Sequence, residues 1–423
     1  MGLNDPITIR ILAGDATLRL PIGASVMSFS YEDAEDGDDM LNISFADPYG
    51  ELVDSDAFIE NTEWTVQWGF AGYLREARKV LVKRTSYRFG QVEVECLDKG
   101  SSMRLEERWD VVKGKTKKDI IGMICSRYGL IPVIDPQFNE IIPNFNWGGK
   151  TDYDVLQYLR SRSPDHTFKI LADKLIFRRR RLDAPPLSTF DYQPGINSRL
   201  INFEISVKDQ DNASAATQVT AVTIDPMSHK PITYKADEST TKTDSLGNTR
   251  PTDNFKKNFG FKVASIFGIN RNGGKTTTKR QGNSTGKAMS LPPQTTQDLQ
   301  NIAQSKRRQA MLSSVEATFE ILAKPDDPML QSGDNIEVRG IGKKFSGLYQ
   351  IVKITHNLDE AYKYNIEARR NAVGAVSGQK LVTPLNGAIN TKFVDVIKYP
   401  TKKKEITGTL SGGRISSVRL VAP

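Results

Sequence analysis

Only two cysteines and three histidines occur in the chain of 423 residues. Cys96 and Cys125 fit no disulfide framework and no metal spacing, so both are expected as buried thiols in a chain made in a reducing compartment. His166, His229 and His356 lie far apart, without an HExxH pair or a Cys/His cluster beside them. The one GxSxG match, Gly282-Asn-Ser-Thr-Gly286, lies in the Thr/Lys/Gly-rich segment and follows no apolar strand, so it lacks the strand-to-helix setting of a serine nucleophile elbow. No apolar run approaches the ~18 residues that a membrane span needs. The opening MGLNDPITIRILAGD also lacks the basic start and apolar core of a secretory signal. The chain reads as soluble, made inside the cell and not inserted in membrane.

Glycine-rich stretches raise the question of phosphate binding. A P-loop needs four residues between its first glycine and Gly-Lys-Ser/Thr, so that successive amides surround the phosphates. Gly268 to Gly274-Lys275-Thr276 has five, and Gly282 to Gly286-Lys287 has three, followed by Ala288. The stretch SGDNIEVRGIGKKFSGLYQIVKITH (332–356) lacks GxGxxG spacing and leads into a strand, leaving no helix N-terminus to receive phosphate. It is expected to be a hairpin with turn glycines Gly340, Gly342 and Gly347, an exposed Lys343-Lys344 tip, and a structural imidazole at His356. Acidic residues crowd at 32–39, at Asp152 and Asp154, and at Asp326 and Asp327; they are expected as solvated loop carboxylates. No residue pattern supports catalysis, and no cofactor or metal is expected.

Net charge is +8, but it is unevenly distributed. Residues 1–238 carry 29 basic and 36 acidic side chains, residues 239–310 carry 13 and 3, and residues 371–423 carry 8 and 2. The segments that read as folded are therefore mildly acidic, and the footprint of a duplex reader on a folded groove is missing. Arg178, Arg179, Arg180 and Arg181 follow the strand KLIF. Alternation sends half of them to each face, which suits a solvated strand end or an interface better than a nucleic-acid site.

Hydrophobic periodicity gives a mainly β chain with an α+β insertion. NTEWTVQWGF (61–70) and GQVEVECLD (90–98) alternate as strands, with turn signals at 47–50, 69–72 and 89–90, as in an antiparallel sandwich or barrel. TKKDIIGMICSRYGL (116–130) then puts Ile120, Ile121, Ile124, Cys125 and Tyr128 on one helical face, with Thr116 and Asp119 as cap and Gly129 as stop. A second helix starts at Thr151 with Asp154 at its third position and buries Val155, Leu156 and Leu159. HTFKILADKLIFRRR gives two strands around an Ala-Asp turn. Strands return at 200–209 and 217–225. Residues 238–300 are too rich in Thr, Lys, Asn, Gly and Ser to bury a core of their own. A helical candidate (TQDLQNIAQSKRRQAMLSS) leads into a last β block from Val315 to Arg370. The two β blocks share a layout: an alternating strand ending in glycine, a loop, a strand with a Val-Lys pair, a polar turn and a closing strand.

In this order, the early strand with its Asp47-Pro48 turn, WTVQWGF, KTKKDIIGMICSRYGL, TDYDVLQYLRSRSPDHTFKILADKLIFRR and SGDNIEVRGIGKKFSGLYQIVKITHNLDEAYKYNIEARR resemble the bacteriophage late-control D proteins. These are the baseplate hub proteins of contractile tails and related injection systems. The resemblance covers most of residues 3–372. It implies two tail-tube-like antiparallel β-barrel domains, at 1–110 and at 186–237 with 311–372. Between them lies the small α+β module at 111–185, leaving the insert at 238–310 and a basic extension at 373–423. It further implies a homotrimer at the tip of the tail tube, in the virion baseplate, whose three chains present six barrels and convert six-fold tube symmetry to the three-fold spike. The implied partners are the tail tube protein, the central spike protein, the tape-measure protein and baseplate wedge proteins. DNA would pass through the channel without specific binding. Assembly contacts are expected from Arg178, Arg179, Arg180 and Arg181, from Lys275, Lys279 and Arg280 in the insert, and from Lys402, Lys403 and Lys404 in the extension. The alternatives are a tail-borne cell-wall or polysaccharide hydrolase, which zymography would detect, and a basic nucleic-acid-binding protein, which would retain DNA in a salt-dependent way.

Overall fold

Fourteen strands join in one sheet, and along its main path every neighbouring pair is antiparallel. The molecule is described by a computed structural model. It covers residues 7–207 (apart from 15, 19–24, 36, 136–140, 162–165 and 193–197), the strands 219–224 and 231–236, residues 246–247 and residues 315–374 apart from 343 and 360. It also covers short pieces between 299 and 312 and the strands 406–411 and 414–420. The chain divides into a unit Met1–Leu381 and a unit Val382–Pro423; in the latter, Ile406–Ser411 pairs with Arg414–Leu420.

The shared layout of the two β blocks is a shared pairing order. In the first block Glu63–Phe70 pairs with Arg78–Arg88, then Gly90–Leu97, then Met40–Asp47, then Ser25–Ala34. In the second, Asn335–Arg339 pairs with Gly347–Leu358, then Tyr362–Arg370, then Val315–Leu322, then Leu200–Val207. Bulges recur at matching places, between Val82 and Arg84 and between Ile351 and Lys353, and again in the last strands at Val26/Ser28 and Leu200/Asn202. Such an extra residue bends a strand and increases its twist. The sixth strands differ: Ile7–Ala13 lies antiparallel on the first block, whereas Ser188–Asp191 lies parallel on the second. The strand at Val219–Ile224 pairs with Pro231–Ala236 as a separate two-stranded sheet.

The blocks meet edge to edge, where the second half of Gly347–Leu358 pairs with Ser25–Ala34, His356 opposite Tyr31. Their inner faces form one hydrophobic cluster that includes Phe29, Trp64 and Trp68 from the first block and Phe319, Ile354 and Tyr364 from the second. Each fully buried large side chain of this kind contributes roughly 1.5–3 kcal/mol relative to exposure.

The inserted module has its own core around Ile121, Ile124, Trp147, Leu156 and Phe177. Its helices, Lys117–Arg127 and Asp152–Ser161, begin as the sequence predicts. Thr116 and Asp119 form a reciprocal capping box, and Thr151 and Asp154 repeat it. Each satisfies amides that the first helical turn leaves unpaired. Gly129, at φ 63°, ends the first helix. His166–Leu171 and Lys174–Arg179 form the expected hairpin, and Ile131–Ile134 adds to it in parallel. Of the helical candidate before Val315, residues 299–300, 303–304, 307–308 and 312 are described, and all are helical. Both cysteines are free and buried; burial pushes Cys96 up to about 12 and Cys125 up to about 11.

Candidate functional site

The strand Ser25–Ala34 alternates inward through Phe29, Tyr31 and Asp33, and the same phase continues to Glu35. Period two therefore carries two acids onto the buried face, where an unpaired charge would cost several kcal/mol. Both are paired, and their partners come from the module and from the second block. Asp33 forms an ion pair with Lys169 and accepts the Ser332 amide at 3.1 Å. Lys169 also donates to the Ser332 hydroxyl at 3.2 Å. Glu35 accepts Arg180 Nε at 2.6 Å and pairs with Arg369, which donates in turn to Gln350. Three parts of the chain are thus fastened at one junction.

The electrostatics of the junction follow from burial and neighbours. Burial alone would raise both acids. The Lys169 ammonium holds Asp33 below its ordinary value, and Arg369 and Arg180 do the same for Glu35. Asp39 lies beside them, accepting the Tyr31 hydroxyl at 2.7 Å, while its amide donates to Asp98 at 3.1 Å. Burial pushes Asp39 up to about 7, opposed by Lys169 and aided by Asp33. Asp98 is raised well above the carboxylate range by burial and by Asp39. A second set of ion pairs joins the turn of the module hairpin to the first block: Asp173 accepts Lys79 at 2.6 Å and Lys99 at 3.0 Å, and Lys99 reaches Glu63 at 2.9 Å.

The expectation of solvated loop acids is corrected here. Asp33, Glu35, Asp39, Asp152 and Asp327 are all buried. Asp152 accepts from Arg108, Arg127, Tyr128 and the Trp147 indole, and Asp327 pairs with Arg199 and accepts the Lys324 amide at 2.8 Å. The signal that could have found two of them is the inward phase shared by Phe29, Tyr31, Asp33 and Glu35.

The four arginines are brought to one place but do not act alike. Arg180 turns into the junction, whereas Arg179 and Arg181 are exposed and Arg178 is partly buried. With the loop 331–335 they border a cleft of about 240 Å³. Lys275, Lys279, Arg280, Lys402, Lys403 and Lys404 lie outside the described residues. The 332–356 stretch is the expected hairpin, Asn335 opposite Gln350 and Val338 opposite Gly347. Gly340 has φ 82°, and a Cβ there would meet the Tyr192 carbonyl oxygen at 2.2 Å. Among the described residues no group of His, Cys, Asp and Glu could hold a metal ion, and no helix is long and apolar enough to cross a membrane.

The fold, mainly antiparallel β with a small α+β insertion, is similar to that of solved tail proteins. The tail protein from Neisseria meningitidis MC58 superposes with a TM-score of 0.60 at 12% identity, over 86% of this chain and 97% of that one. The 43 kDa tail protein of prophage MuSo2 from Shewanella oneidensis superposes with a TM-score of 0.58 at 10% identity, over 87% of this chain and 100% of that one. No family model matches the chain, and no curated protein matches it.

Proposed function

We propose that the chain is a structural baseplate hub protein of the late-control D type, in a contractile phage tail or a related injection system. Three chains form a ring that joins the six-fold tail tube to the three-fold spike and surrounds the channel through which DNA passes. The observation that carries this reading is the repeated pairing order of the two β blocks. A chain with two similar blocks presents six of them as a trimer, which is what a symmetry adaptor requires. The blocks correspond to tube-like domains at 1–110 and at 186–237 with 311–372, and the module at 111–185 is tied to them by the charged junction. The acidic balance of residues 1–238 suits a channel wall that repels phosphate. The basic insert and extension, with Lys275, Lys279, Arg280, Lys402, Lys403 and Lys404, are suited to acidic surfaces on tube, spike, tape-measure or wedge proteins. On this reading the protein works in the virion tail, without catalysis, cofactor or membrane insertion.

The oligomeric state tests the proposal. Light scattering of the purified chain should give three chain masses, and averaged electron micrographs a three-fold ring with a central channel. A stable monomer, or a ring of another order, would overturn it.

A further inference from the structure

We infer that the cleft between the arginines at 178–181 and the loop at 331–335 is a docking site for an acidic, partly apolar peptide segment of another protein. This deepens the assembly role proposed above and rests on it only for the identity of the partner. The cleft opens where the end of the Lys174–Arg179 strand passes the loop that leads into Asn335–Arg339. At about 240 Å³ it accepts one or two side chains rather than a helix or a duplex.

Among the described residues, two of its cations make no ion pair. Lys169 is occupied by Asp33 and Arg180 by Glu35. Arg181 is exposed, and among the described residues neither it nor Arg178 pairs with an acid, the field of Arg178 falling on Asp334. Behind them, Glu35 pairs with Arg369 and Arg180, and Arg160 lies close enough to act on it. Burial and the positive charge of Arg180 press Arg160 below its usual value, and burial does the same to Arg369, with Glu35 and Glu316 opposing. A further carboxylate at this mouth would meet guanidinium groups able to bind it through paired N–H donors.

Two other features point to a peptide. Ile176, Pro185 and Leu187 give the cleft an apolar side, and Leu187 is 50% exposed. Asn335, which also lines it and is 2% exposed, spends its amide nitrogen on the carbonyls of Arg181, Leu182 and Ala184. Its Oδ1 is left without a hydrogen-bond partner, and a peptide N–H would supply one. A nucleic-acid strand fits less well. Glu35 and Asp334 stand on the same walls, and the cations gather at one mouth instead of following a backbone track.

The test uses the full chain and a short fluorescein-labelled peptide alternating Glu and Leu, followed by anisotropy. Saturable binding that weakens as salt is raised is expected. The double substitution Arg178→Gln with Arg181→Gln should weaken it about tenfold, the loss of charge-assisted bonds worth roughly 1.4 kcal/mol. Neither arginine makes an ion pair among the described residues, so the melting temperature should hold. Leu187→Asp, which leaves the arginines intact and places a negative charge on the apolar side, should weaken the same peptide several-fold. No binding, equal binding of a Gln/Leu peptide, or tighter binding of single-stranded DNA with the same sensitivity to the arginine substitutions would overturn the inference. The outcome is independent of ring formation: a monomeric chain that binds the peptide keeps this site, and a trimer that does not bind it loses it.

Discussion

His356 sits within a ring of aromatic neighbours, its centroid 5.4 Å from both Trp68 and Tyr364, with 1% of its surface exposed. Its Nδ1 lies 2.8 Å from the Tyr362 hydroxyl, which also accepts the Trp68 indole N–H at 3.1 Å. Burial holds the imidazole neutral and lowers its pKa from 6.5 to about 3, with Arg75 and Arg78 adding to the effect and Asp33 opposing it. The folded value is below the unfolded one, so the associated stability is complete above about pH 6.5. It is lost as pH falls toward 3, by up to about 1.4 kcal/mol per pH unit. Asp39, raised by burial, works in the opposite sense, so the informative quantity is a difference between two proteins. Urea unfolding of the native chain and of His356→Gln, each measured from pH 7 to pH 4, should converge on acidification. Parallel curves would show that the imidazole titrates freely in the fold.

At the scale of elements, the module is organised around Asp152 at the start of its second helix. This fully buried carboxylate accepts Arg127 at 2.8 Å, Arg108 at 3.1 Å and the Trp147 indole at 2.7 Å. Asp152→Ala would take the acceptor from the buried Trp147 indole and one partner each from Arg127, which keeps Asp110, and Arg108, which keeps Glu106, and should destabilise the module by about 1–3 kcal/mol. Hydrogen exchange should then rise first at amides of 117–127 and 152–161, ahead of the main sheet. A loss below about 1 kcal/mol, or exchange rising everywhere at once, would contradict this. The helices themselves were legible in the sequence because capping boxes and a 3.6-residue apolar stripe are local patterns. Asp152 was not, because acids at a helix start look the same whether they face solvent or the arginines of another strand and another helix. Arg108 and Arg127 become its partners only once the chain has folded back.

For the whole molecule, the repeated strand layout was also legible, but the seam between the blocks was not. Pairing between Ser25–Ala34 and Gly347–Leu358 joins segments from opposite ends of the folded chain, and neither carries a local trace of its partner. The same holds for the cation cleft: KLIFRRRR predicts a solvated strand end or an interface, and only the fold supplies the 331–335 loop that shapes the cleft. The seam has a mechanical consequence. Because one hydrophobic cluster spans both blocks, damage to one should loosen both. Trp68 belongs to the first block, yet it packs on His356 and donates to Tyr362 of the second. Trp68→Ala should cost about 3–5 kcal/mol, the usual range for emptying a large aromatic site. Amide exchange should accelerate equally in 78–97 of the first block and in 362–370 of the second, since global opening exposes both together. Acceleration confined to the first block would mean that each block holds its own stability and that the seam is only a contact between finished domains.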